Sequence, residues 1–351
     1  MTARNRGARA RSGVRRDGWL RRQLARRPLP LWVVTAADVL VLVLALLVYA
    51  LFHHVLPRDE EAAGVVSRRA AAPVVAATQA PESMSGPEAS AEPRAADPVG
   101  VFAQRFADKF TGGEIIADSE GYQSPSLNIR FQTVTEPELV YYVADIYMRD
   151  IECFRTVFAK DDFGRGRYEW LTDMSARLGG VMAVNGDYYG GRADGIVIRN
   201  GELYRKKAPI RDVCVIYWDG VMEIISPSEW NTESVMAKGA YQGWNFGPNL
   251  LDDGGNALSY FDSEVAGRNP RTAIGYFEPG HYCLVVVDGR SKKSRGATLE
   301  KLSEIMAGLG CARAYNLDGG QTSSMVVGNK VVSNPYHGGR KCSDGIVIVD
   351  R

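Results

Sequence analysis

Twenty-two consecutive residues, Leu31 to Phe52, carry a single charge, Asp38, among side chains that are almost all apolar. At about 1.5 Å of rise per residue, such a run makes a helix of about 33 Å, long enough to cross the hydrocarbon core of a bilayer. Ten arginines (Arg4, Arg6, Arg9, Arg11, Arg15, Arg16, Arg21, Arg22, Arg26 and Arg27) precede it against Asp17 alone, a net of +9 over residues 1–30. Arg58, Asp59, Glu60 and Glu61 follow it. The positive-inside rule therefore places the N-terminus in the cytoplasm and everything after residue 52 outside, a single-pass topology. A cleaved signal peptide is the competing reading, but its apolar region normally runs about 7–15 residues and leads directly to a small-residue cleavage site. Here the run is longer, and His53, His54 and acids come next. The arginines orient the helix. No nucleic-acid partner is expected, because the chain as a whole carries +1, so removing the +9 tail leaves −8 for the remainder.

Residues 1–30 thus read as a basic cytoplasmic tail and residues 31–52 as a transmembrane helix in contact with lipid. Residues 53–100 read as an Ala/Pro-rich stalk, since residues 57–100 contain no aromatic side chain and too little apolar surface to offset chain entropy. Aromatic and β-branched residues return at Val101, which leaves residues 101–351 for one globular domain. Within it, short apolar runs at Leu139–Met148, Val181–Val184, Gly195–Arg199, Val213–Trp218, Val221–Ile225, Thr272–Phe277, Cys283–Val287, Met325–Val327 and Gly345–Val349 have strand character. Asn200–Gly201, Asp219–Gly220, Pro279–Gly280 and Gly328–Asn329 between them are turn dipeptides. Helical spacing occurs at Leu299, Leu302, Ile305, Met306 and Leu309, opened by Thr298 and closed by Gly310. A second short helix is expected over Tyr168–Leu178. Many hairpins and few helices predict an α+β domain of antiparallel or mixed sheets rather than a doubly wound one.

The common catalytic templates are missing: there is no His-Glu-x-x-His, no Gly-x-Ser-x-Gly, no phosphate-binding Walker loop and no dinucleotide fingerprint. Of the four histidines, His53 and His54 abut the apolar run, and His281 and His337 fall in turns, so histidine-based chemistry is not expected. Carboxylates, amides and arginines remain. Val184-Asn185-Gly186-Asp187-Tyr188-Tyr189 ends a strand in a turn that Gly186 permits, presenting Asn185 and Asp187. Asn316-Leu317-Asp318-Gly319-Gly320-Gln321-Thr322-Ser323 does the same after a second strand, where Gly319 and Gly320 let backbone approach a ligand and Thr322 and Ser323 can hold an anion. Taken singly, an Asn-Gly or Asp-Gly is more often just a capped turn. Arg271 opens an otherwise apolar strand and there needs an anionic partner, either a ligand or a core carboxylate. Asp288-Gly289-Arg290 closes the next strand, and Gly338-Gly339-Arg340 adds a guanidinium beside a glycine loop. Gathered in one cleft, these side chains suit a sugar linked to phosphate.

In that order, Asn185-Gly186 before an aromatic pair, Arg271-Thr272-Ala273-Ile274-Gly275, Asp288-Gly289, a helix, and Asn316-Leu317-Asp318-Gly319-Gly320 resemble the phosphodiester glycosidase family over about residues 175–350. The resemblance implies hydrolysis of the bond between a sugar's anomeric carbon and a phosphodiester oxygen, with a glycan or sugar-phosphate substrate. It carries Asn185, Asp288, Asn316 and Asp318 over as catalytic positions. Arg271 and Arg340 become phosphate-binding positions, with Asp187, Gly319, Gly320, Thr322, Ser323 and Arg290 around them. The family usually has a small residue where Asp187 stands and Gly-Ser where Gln321-Thr322 stand. Membrane-anchored bacterial members are often exopolysaccharide-related, in keeping with the topology above. Asp318 or Asp288 would attack the anomeric carbon or activate water while the arginines neutralise the departing phosphate. A divalent cation on Asp187, Asp288 or Asp318 is a further option, since oxygen-only ligands suit hard ions. A non-catalytic glycan-binding or scaffold module of exopolysaccharide synthesis is the alternative. The five cysteines (Cys153, Cys214, Cys283, Cys311 and Cys342) allow two bridges and one thiol, or buried small residues, for which Cys214 and Cys283 are well placed.

Overall fold

The computed structural model describes residues 30–52, 58–60, 62–67 and 102–351. The chain divides into two compact units, Met1–Leu56 and Pro57–Arg351. In the first, Leu31–Ala50 forms an α-helix with none of its residues buried, and its most apolar window has a mean hydropathy of 2.7. Among the described residues it is the one helix long and apolar enough to cross a membrane. The arginine-rich tail and residues 68–101 lie outside the described residues.

The second unit is an α+β domain built from hairpins, and every strand pairing among the described residues is antiparallel. Its seven-stranded sheet runs Arg313–Asn316, Arg271–Glu278, His281–Val287, Leu139–Met148, Leu127–Glu136, Gly121–Gln123, Ile116–Ala117. A five-stranded sheet runs Lys330–Val331, Met325–Val327, Gly180–Asn185, Asp344–Val349, Phe154–Phe158. A six-stranded sheet runs Met222–Ile225, Val213–Tyr217, Ala240–Trp244, Ile196–Arg199, Glu202–Lys206, Val65–Val66. Successive strand residues point to opposite faces, so one parity of each sheet can meet in a shared core. Ile146, Tyr282 and Leu284 from the first sheet, Val184 and Ile346 from the second, and Ile216 and Trp244 from the third do so, all fully buried.

The opposite face of the seven-stranded sheet takes the Leu299–Gly308 helix, whose Leu299, Leu302, Ile305 and Met306 pack on Ala273, Cys283 and Val285. Thr298 caps that helix by accepting the Lys301 N–H at 3.2 Å. The Asn200–Gly201 turn has both residues at positive φ, 52° and 87°, the conformation that closes a two-residue hairpin without splaying its strands.

One sequence expectation changes, and one open choice is decided. Residues 58–67 fall in the compositional stalk, yet Arg58–Asp59 pairs with Gly164–Arg165, and Val65–Val66 pairs with Glu202–Leu203 at the edge of the six-stranded sheet. Glu60 forms an ion pair with Arg205, and Ser67 N–H donates to the Gly201 carbonyl at 2.6 Å. An open sheet edge needs only a short extended segment to pair with, and composition averaged over a long stretch hides one. The cysteines form no bridge: all five are free and buried. Burial raises the Cys214 thiol, which packs as a small apolar side chain.

Candidate active site

The turn after Gly180–Asn185, the start of Arg271–Glu278, the end of Arg313–Asn316 and the start of Asp344–Val349 meet where the five- and seven-stranded sheets join. Register brings this about, with Asn185 opposite Gly345 and Asn316 opposite Ala273. Asn185 then crosslinks the joint. Its Nδ2 donates to the Asp318 carbonyl at 2.7 Å, and its Oδ1 accepts from the Thr272 hydroxyl at 2.7 Å and from the Ser324 N–H at 3.2 Å. Fully buried and with its carbonyl doubly occupied, it holds the site together from behind. Gly186 continues the crosslink, accepting the Asp318 N–H at 3.1 Å. A Cβ there would lie 2.7 Å from the Asp344 carboxylate, so only glycine fits.

Asp318 sits at the centre. Its Oδ1 accepts the Gly319 N–H at 2.9 Å, its Oδ2 lies 2.8 Å from the Thr322 hydroxyl, and the Arg340 guanidinium stands 4.0 Å from Oδ2. Burial raises its carboxyl to about 6, against the pull of Thr322 and Arg340. Arg340 is half-exposed, so one end of the ion pair faces solvent. Gly319 passes so close to the Pro270 carbonyl that a Cβ would lie 2.9 Å from its oxygen. Gly320, at φ 71°, donates its N–H to that same carbonyl. Beside them, Asn316 donates Nδ2 to the Gly247 carbonyl at 2.7 Å, while its Oδ1 and the Ser323 hydroxyl are buried with no hydrogen-bond partner. Buried polar atoms left unpaired are costly.

Other predicted residues take different places. Asp187 is turned into the protein: its Oδ1 accepts the Tyr188 N–H at 2.6 Å, its Oδ2 accepts the Asn245 N–H at 2.8 Å, and it is 3% exposed. Arg271 is turned away as well. Instead of an anion it binds carbonyls, with Nε donating to Ala297 at 3.0 Å and Nη2 to Val265 at 2.6 Å and to Gly267. Burial lowers this guanidinium to about 10. Several carbonyl dipoles solvate it where the sequence called for an anionic partner, a ligand or a core carboxylate such as Asp318 or Asp288. Asp288 uses Oδ2 to accept from the Tyr142 hydroxyl at 3.1 Å and Oδ1 to accept the Asn334 N–H at 2.9 Å, and so moors the loop that leads to Arg340. Burial raises its carboxyl too. Arg290 bonds Asn269 Oδ1 at 2.9 Å and lies over the Tyr336 ring, next to Gly320. Among the described residues, no three His, Cys, Asp or Glu side chains are grouped to hold a metal ion.

Spacing pointed to Asp344, just after Arg340, without giving it a role, and did not single out Arg199. Asp344 is fully buried, accepts the Asp187 N–H at 2.8 Å, and pairs with Arg199 Nη2 at 2.7 Å; Arg199 is also buried and lies over Trp244. Burial pushes the Asp344 carboxyl up to about 7 in spite of Arg199. An arginine closing the otherwise apolar run Ile196–Arg199 was the available signal. Tyr168 lies within reach of the charges of Arg340 and Asp318, and burial followed by the neighbouring Tyr188 raises its hydroxyl.

A hairpin-built α+β domain with a buried carboxyl beside a half-exposed guanidinium is the class that this geometry defines. The sequence profile of the phosphodiester glycosidase family matches residues 179–349. Protein YomE, an uncharacterized SPbeta prophage-derived protein of Bacillus subtilis strain 168, is 30% identical over 200 residues, which cover 54% of this chain and 30% of that protein. The zebrafish N-acetylglucosamine-1-phosphodiester alpha-N-acetylglucosaminidase catalytic domain, solved auto-inhibited by its pro-peptide, shares the fold with a TM-score of 0.52 at 21% identity. The match covers 68% of this chain and 88% of that one.

Proposed function

We propose that the chain is a membrane-anchored hydrolase that cleaves the bond between a sugar's anomeric carbon and a phosphodiester oxygen in extracytoplasmic glycans. The observation that carries this reading is Asp318, a carboxyl buried to near-neutral pKa, hydrogen-bonded by Thr322 and Gly319, with Arg340 at 4.0 Å on its open side. In its ionised form Asp318 attacks the anomeric carbon or takes a proton from the attacking water. Asp288, with both oxygens engaged by Tyr142 and Asn334, positions the Arg340 loop. As the anomeric C–O bond breaks, its electron pair leaves on the phosphate, and Arg340 neutralises that charge; a phosphomonoester leaves readily, so weak acid assistance is enough.

The helix Leu31–Ala50 is the anchor, with the arginine tail in the cytoplasm and residues 57–351 outside. The test is turnover by the full-length protein in detergent on a panel of sugar-1-phosphodiesters, with Asp318→Asn and Arg340→Gln beside it. Release of free sugar and phosphomonoester, lost in Asp318→Asn, is the expected result. Binding without turnover across the panel would mark a glycan-binding module instead.

A further inference from the structure

Two arginines outside the reading above stand close to the site without a carboxylate. Arg192 lies on the loop after Tyr189–Gly191, and Arg211 just before the strand Val213–Tyr217. Asn245 links them: its carbonyl accepts Arg192 Nη1 at 3.3 Å, and its Nδ2 donates to the Arg211 carbonyl at 2.9 Å. The Arg192 guanidinium is held over the rings of Phe246, at 4.9 Å, and Tyr188, at 5.8 Å. The Arg211 Cβ packs against Gly247, whose carbonyl takes the Asn316 amide. Burial, then the charge of Arg192, lowers the Arg211 guanidinium below its ordinary value. Glu264 and Asp194 act on Arg211 at longer range, but among the described residues neither Arg192 nor Arg211 has an ion pair within 4.0 Å. Partly desolvated guanidiniums with no carboxylate within ion-pair distance are costly in an empty protein, and that cost is relieved when an oxyanion binds.

The pair is joined to the catalytic centre through the Asn185–Tyr188 turn. Asp187, which accepts the Asn245 N–H, follows Gly186, which accepts the Asp318 N–H. Tyr188, whose ring faces Arg192, is also the neighbour of Tyr168, which lies within reach of the Arg340 charge. One guanidinium thus stands at Asp318 and another, Arg192, at Asn245, with the Arg211 backbone bonded to the same asparagine. A substrate with a single phosphodiester needs only the first.

We propose that Arg192 and Arg211 form a second anion subsite that binds a phosphate one repeat away from the scissile bond, so that the substrate is a glycan with phosphodiesters in successive repeats. The inference rests on the glycosidase reading of Asp318, and its test separates the two. Full-length protein in detergent is titrated with inorganic tripolyphosphate by calorimetry and assayed on two substrates, a single sugar-1-phosphodiester and an oligomer carrying phosphate in each repeat. In the double variant Arg192→Gln/Arg211→Gln, tripolyphosphate affinity falls about tenfold or more, the scale of losing one charge-assisted contact. KM for the oligomer rises about as much, while kcat/KM for the single phosphodiester stays within about twofold. The double variant Arg192→Lys/Arg211→Lys recovers most of the tripolyphosphate binding, which shows that the glutamine variant did not simply misfold. Asp318→Asn keeps full tripolyphosphate binding.

Equal loss on both substrates, or tripolyphosphate binding unchanged in the glutamine variant, would overturn the subsite. A uronate-bearing oligomer that matches the phosphate oligomer and is equally sensitive to the variants would overturn phosphate as its ligand. If the wild type turns over neither substrate, the glycosidase reading fails and the tripolyphosphate titration alone decides the subsite.

Discussion

Asp318 is held where ionisation is expensive and reactivity is high. Because burial raises its carboxyl to about 6, the folded protein keeps its proton in a range, from about pH 4 to pH 6, where the unfolded chain has already released it. Stability from this group is thus fully present below about pH 4 and is lost as pH rises through 6. Asp318→Asn, which cannot ionise, should be more stable than wild type at pH 8, by up to about 3 kcal/mol, with the gap closing by about pH 4. The same variant should lose at least about a hundredfold in kcat. Thermal melts and turnover on one preparation check both, and a variant less stable at pH 8 yet fully active would sink the assignment. With the ionised form as the working one, kcat/KM should rise as pH increases through about 6; a profile that falls there would make Asp318 the acid. Sequence already marked Asp318, because an unbroken polar and glycine run after a strand has few structural uses. It misjudged Arg271, since a buried guanidinium shows the same pattern whether an anion or several carbonyls solvate it. Arg271→Met should leave the Val265, Gly267 and Ala297 carbonyls short of a donor and destabilise by about 2–4 kcal/mol. Denaturant unfolding measures that loss, and the kcat of the folded fraction should change little.

Most of the elements with a strong period were legible. The strands from Leu139 to Met148 and from Thr272 to Val287, the hairpin turns, and the capped Leu299–Gly308 helix follow from alternation, turn chemistry and capping. Thr298→Ala should cost about 1 kcal/mol by removing the bond to the Lys301 N–H, as urea unfolding would show. Elements with weak local signals were missed. Leu127–Glu136 carries polar residues on its exposed parity, Ala240–Trp244 follows a glycine turn, and Val65–Val66 is too short to show a period. Each exists because a neighbouring strand offers it a partner. The last gives a measurable consequence: chains beginning at residue 68 should melt below chains beginning at residue 57. The shorter one exposes the Glu202–Leu203 edge and leaves Arg205 without Glu60. Equal melting temperatures would mean that the segment adds nothing to the fold.

At the scale of the whole molecule, the order basic tail, apolar helix, mixed domain specifies a protein of two units, and the helix predicts recovery with membranes after alkaline wash, released only by detergent. A reporter on the C-terminus that is active only outside the cell would check the orientation, and cytoplasmic activity would reverse it. What the sequence by itself determined was local or additive: a span long enough to cross a bilayer, hairpins, a capped helix, and a set of carboxylates, amides and guanidiniums in family order. These follow from period, composition and neighbours within a few positions along the chain. What only the tertiary structure decided was which of those side chains meet, and what each one faces. Asn185, Asp318, Ser324 and Thr272 converge through strand register, Asp344 and Arg199 enter from residues far apart in the chain, and Asp187 and Arg271 turn inward. Burial then raises Asp318 and Asp344, because a carboxyl's pKa depends on the dielectric and charges around it in space, and linear spacing carries neither.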